Sequence, residues 1–135
     1  MHYYKRAAKL GNHFKAYSKC ADFYYSQGSK KGAFAWYKKA AELGDTSAFN
    51  NMGLMLETGY DDVKPDHKLA LQNYKEAFNH GNTDALINIA VYYLNDRYVS
   101  RDQKVGQALL RKAYQLRNPR AIDCMIQYGL IQDRN

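Results

Sequence analysis

The chain has 135 residues, 46% of them apolar and 14% aromatic, which excludes a disordered segment and leaves room for one domain with a buried core. Twenty Lys and Arg against 13 Asp and Glu give a formal charge of +7, so attraction to acidic surfaces or nucleic acid is permitted but not demanded. Two cysteines, no apolar run beyond ALINIAVYYL at 85 to 94, and a start, MHYYKRAAKLG, without an apolar h-region argue against a disulfide scaffold, a membrane span and a signal peptide, so a cytoplasmic location is expected.

With only two prolines, at 65 and 119, the chain is free to be helical between them, and an all-α class follows. Residues 1 to 9 read as the tail of a helix closed by Gly11. Helices are then expected at 13 to 27, 30 to 42, 46 to 57, 66 to 79, 83 to 95, 102 to 116 and 119 to 131. Gly11, Gly44 and Gly81 stand where a helix must end on positive φ. Asp45, Thr46, Asn82 and Thr83 follow with side-chain oxygens suited to capping the next helix, and Ser29 is expected to cap the helix after Gly28.

These elements repeat. YYKRAAKLGN at 3 to 12 returns as WYKKAAELGD at 36 to 45, NYKEAFNHGN at 73 to 82 and LLRKAYQLRN at 109 to 118. Small residues mark the alternate helices: Ala16/Ala21, Ala48/Gly53, Ala85/Ala90, then Ala121/Ile126. Each unit therefore holds an A helix and a B helix. On the B helices Ala33, Tyr37 and Ala40 recur as Ala70, Tyr74, Ala77 and as Gly106, Leu110, Ala113, one face on which small residues admit a neighbour and a large one fills the groove. Met52, Ile89 and Met125 share one apolar slot of the A helices with Cys20, whereas Cys124 is expected to be more exposed and too far from Cys20 to pair with it.

WYKKAAELGD, the alanine three residues before it and SAFNNMGLMLETGY resemble Sel1-like repeats, relatives of tetratricopeptide repeats. VKPDHKLA at 63 to 70 and VSRDQKVG at 99 to 106 match the valine, aspartate and lysine pattern of that family's loops. The resemblance implies one domain over 1 to 135: a partial repeat at 1 to 12, repeats at 13 to 45, 46 to 82 and 83 to 118, and a terminal helix at 119 to 131. It also implies an α-solenoid of antiparallel helix pairs, a right-handed superhelix with the A helices on its concave side. The short loop after Gly28 and Arg117 in place of glycine depart from the pattern. A cysteine-stapled subgroup associated with β-lactams is set aside, because the paired cysteines are missing.

On that geometry the expected concave, solvent-facing positions are Lys15, Ser18, Asp22 and Tyr25, then Ser47, Asn50 and Leu54, then Asp84, Ile87 and Val91, then Asp123 and Gln127. Mixed apolar and amide groups suit an extended peptide or a partner's helix more than catalysis. Leu54, Ile87 and Val91 are expected to be the exposed apolar contacts. A clamp for a C-terminal carboxylate is excluded, since Ser18, Asp22 and Ile87 lack its basic pattern. The expected function is thus a non-enzymatic scaffold or adaptor for a protein or peptide partner. Lys5, Lys38, Lys75 and Arg111 form a basic ladder on the B helices, and nucleic-acid binding along it is the weaker alternative.

No membrane partner and no cofactor or metal is expected. GSKKG at 28 to 32 lacks the P-loop spacing, Asp61, Asp62 and Asp66 lack the calcium-loop spacing, and His2, His13, His67 and His80 have no metal-ligand spacing. Met125, Ile126, Leu130 and Ile131 on a terminal helix without a B partner are expected to reflect self-association or membership of a longer array.

Overall fold

The computed structural model describes residues 14–95 and 102–132. Among these, seven helices follow one another: α1 (Phe14–Ser26), α2 (Lys30–Glu42), α3 (Thr46–Thr58), α4 (His67–Asn79), α5 (Asp84–Asn95), α6 (Gln103–Gln115) and α7 (Ala121–Gln127). The described residues contain no strand, only an isolated antiparallel bridge between Tyr60 and Val63 in the α3–α4 loop. Helices pack on their neighbours in sequence, most extensively within the hairpins α1–α2, α3–α4 and α5–α6. This is the α-solenoid that the repeats anticipate. The partial helix at 1 to 9, with Lys5 and Gly11, lies outside the described residues.

The helix ends have local causes. Gly44 and Gly81 close α2 and α4 at φ 98° and 99°, and Arg117 takes the same role after α6 at φ 64°, where a side chain is strained. Asp45, Asp66 and Asp102 accept hydrogen bonds from the free amides of Ser47, Leu69 and Val105 at 3.0, 3.0 and 3.1 Å, starting α3, α4 and α6. Asn82 Oδ1 does the same for the amide of Asp84 at 3.0 Å. Two expectations need correction. Ser29 precedes α2 but makes no side-chain capping bond. The last helix stops at Gln127 instead of 131, because Gly129 turns at φ 73° and the amides of Gly129 and Leu130 fold back onto Ile126 and Met125.

The core is built by the small–large alternation. Ala33, Tyr37, Ala40, Ala70, Tyr74, Ala77, Gly106, Leu110 and Ala113 are all buried. A Cβ on Gly53 would sit 2.4 Å from the ring of Tyr74, and one on Gly106 would meet Leu94 at 2.6 Å, so glycine is required for these helices to approach so closely. Cys20, Met52, Ile89 and Met125 all occupy buried positions, while Cys124 is half-buried and the two cysteines are not joined in a disulfide.

Candidate functional site

The face formed by α1, α3, α5 and α7 is closed at some positions and open at others. Consecutive A helices are joined by polar latches. Ser18 Oγ donates to Asp45 Oδ2, linking α1 to the start of α3, while Asn88 Nδ2 donates to Asn50 Oδ1 at 2.9 Å, linking α5 to α3. Asn118 Nδ2 donates to Thr83 Oγ1 and Asp84 Oδ1, both at 2.8 Å, ahead of α7, and Arg120 approaches the same Asp84 oxygen at 3.6 Å. These latches satisfy buried polar groups that would otherwise cost about 1–3 kcal/mol each.

The latches correct part of the expected face. Asn50 is 9% exposed and Ile87 only 1%, so neither faces solvent. Their helical position faces the next A helix: Asn50 meets Asn88, and Ile87 is packed with Ala121 and Met125 of α7. Asp84 is half-buried and engaged with Asn118 and Arg120, and Val91 is half-buried. Asp123 and Gln127 are exposed on α7 and line neither of the clefts between α1 and α3.

Six of the expected residues do come together between α1 and α3. Lys15, Ser18, Asp22 and Ser47 line a cleft of about 460 Å³ with Asp45 and Asn51. Tyr25 and Leu54 line an adjoining cleft of about 320 Å³ with Tyr37, Asn51, Met55 and Thr58. Asn51 belongs to both. Tyr25 is 47% exposed and Leu54 43%, so the second cleft presents apolar side chains to solvent. Asn51, Leu54, Met55 and Thr58 follow the i, i+3, i+4, i+7 stripe of one helix face. That spacing was the signal available for Asn51, Met55 and Thr58, which the sequence expectation omitted.

The electrostatics of the two clefts differ. The Tyr37 hydroxyl donates to Asp22 Oδ1 at 2.6 Å; burial, then this bond, pushes the phenol well above its usual pKa, so it remains a neutral donor. Asp45 is buried yet satisfied by the Ser47 amide and the Ser18 hydroxyl. Neither Asp22 nor Asp45 has an ion-pair partner among the described residues.

On the opposite face Lys38, Lys75 and Arg111 are exposed, and Lys5 of the expected ladder lies outside the described residues. Charge is segregated. Helices α2, α4 and α6 carry nine Lys and Arg against two Glu, whereas α1, α3, α5 and α7 carry two Lys against four Asp and Glu. His80 stacks on Phe49 at 5.4 Å and bonds the Glu76 carbonyl at 2.9 Å, a helix-end role. No group of three or more His, Cys, Asp and Glu among the described residues could hold a metal ion, and no described helix is long and apolar enough to cross a membrane.

The family model for the Sel1 repeat matches residues 1–12, 16–45, 47–82 and 83–118. No curated protein matches the chain. Among solved structures, a Sel1 repeat protein from Oxalobacter formigenes is 29% identical with a TM-score of 0.79, over 87% of this chain and 49% of that one. A protective antigen of uropathogenic Escherichia coli with an SLR fold shares the fold at 20% identity and a TM-score of 0.80, over 98% of this chain and 29% of that one. Cysteine rich protein B of Helicobacter pylori is 25% identical with a TM-score of 0.66, over 90% and 89% of the two chains. The chain thus spans about half the length of the first of these relatives and under a third of the second.

Proposed function

Since the chain belongs to the Sel1 repeat family, whose members generally serve as protein-interaction scaffolds, we propose that it is a non-enzymatic adaptor holding a peptide or partner segment on its concave A-helix face. The observation that carries this reading is the pair of adjoining clefts between α1 and α3, one apolar and one polar, sharing Asn51. An extended segment needs such a sequence of subsites: apolar pockets hold side chains, and amides bind backbone between them. Lys15, Ser18, Asp22, Tyr25, Ser47 and Leu54 are the contact residues in this reading; Asp123 and Gln127 would extend the surface only for a longer partner.

The test is selection from a displayed random-peptide library on the folded chain, with Leu54→Asp as the counter-target. Enriched peptides that bind the wild type and not the variant support the reading. Selection that yields nothing, or peptides indifferent to Leu54, overturns it. A second reading, polyanion binding along Lys38, Lys75 and Arg111, is favoured by the nine-to-two basic excess of the B helices. Its signature is steep weakening with salt, which groove docking does not share.

A further inference from the structure

The contrast in charge between the two faces says what the groove should select. In a chain of net charge +7, Asp22 and Asp45 line the polar cleft without a cationic partner among the described residues. Lys15 at the same cleft offsets one of the two charges, leaving a net negative site that adjoins the apolar cleft at Tyr25 and Leu54. Asp45 is committed to the Ser47 amide and the Ser18 hydroxyl, so its charge is fixed in place and acts through space. Asp22 is exposed and lines the cleft, with Oδ1 taken by the Tyr37 hydroxyl and Oδ2 not engaged by that bond. A cation docking there gains an ion pair without breaking one, whereas an acidic segment meets like charge.

We infer that the α1–α3 groove selects an extended peptide segment carrying a Lys or Arg close to a large apolar residue, with the cation at Asp22 and the apolar side chain between Tyr25 and Leu54. This rests on the adaptor reading above and adds the chemistry of the occupant. The cleft of about 320 Å³ accommodates one aliphatic or aromatic side chain.

The experiment is fluorescence anisotropy with four labelled ten-residue peptides that pair Lys or Glu with Leu or Ser on an otherwise constant Gly-Ser background. The Lys/Leu peptide should bind tightest. Asp22→Asn, which keeps an oxygen for the Tyr37 hydroxyl, should weaken it about threefold, the scale of an exposed ion pair. Leu54→Ser should weaken it about tenfold, the scale of one buried aliphatic side chain. Circular dichroism of both variants should match the wild type, since both positions are exposed. Equal binding of Glu/Leu and Lys/Leu, or no effect of Asp22→Asn, would overturn the cation preference while leaving the groove in place. Binding indifferent to both Asp22→Asn and Leu54→Ser, or its absence for all four peptides, would overturn this inference. In that event the library selection with its Leu54→Asp counter-target decides separately whether the groove reading survives.

Discussion

The α1–α3 and α5–α7 junctions are built on one register and finish as opposite surfaces. At both, a residue in the turn before the second helix is bonded back to the first: Asp45 to Ser18, and Asn118 to Thr83 and Asp84. Beyond the latch they diverge. Tyr25 and Leu54 stand exposed over a cleft at the first junction, whereas their equivalents at the second are Leu94, 4% exposed against Gly106, and the polar Gln127. The solenoid therefore dictates the seam and leaves a few positions free, and a groove appears where those free positions are large and unfilled.

The strongest way to break this comparison is a charge at the seam. Ile87→Asp should cost about 3–5 kcal/mol in urea unfolding, because it places an unpaired carboxylate against α7. At the same register Asp123→Ala should change stability by less than about 0.5 kcal/mol, since no described element covers α7 there. Comparable losses at the two positions would dissolve the distinction between seam and open face. Asn88→Ala should follow, at about 1–3 kcal/mol, by leaving the buried amide oxygen of Asn50 without its donor.

Tyr37→Phe should cost about 0.5–1.5 kcal/mol at neutral pH through the lost bond to Asp22. The phenol's raised pKa adds a pH signature. The native state holds the Tyr37 proton more tightly than the unfolded chain, so this stabilisation is complete below about pH 10 and is lost as pH rises beyond it. The variant should have a flatter alkaline limb in a melting temperature against pH series. The smallest effect is a gain: Arg117→Gly relieves a positive φ of 64° and should stabilise the fold by a few tenths to about 1 kcal/mol in thermal melts.

Most of the fold was legible because its punctuation is chemical. Gly44 and Gly81 end helices, and Asp45, Asp66 and Asp102 begin them, each through a hydrogen bond or a backbone angle that few other residues supply. Gly129 carries the same signal, and its positive φ is why the last helix ends at Gln127 and not at the expected 131. The site was legible only in part. A period of 3.6 residues assigns Ser18, Asn50 and Ile87 to one stripe, but whether that stripe faces solvent or the next A helix depends on how successive pairs are set against each other, which no local pattern encodes. The isoleucine itself was the clue, since an apolar side chain in a stripe of polar ones is more simply explained by burial.

Each helix packs most heavily on its neighbours in order and reaches past them only to the adjacent A helix, as Asn88 does to Asn50 and Ile87 to Met125. A disturbance at α7 has no shortcut to Tyr25; it must pass through each intervening hairpin and weakens at every one. The two halves are therefore insulated: fraying near Gly129 leaves the pocket under Leu54 intact, and occupancy of that pocket protects amides of α1 to α3 from hydrogen exchange while those of α7 keep their pace.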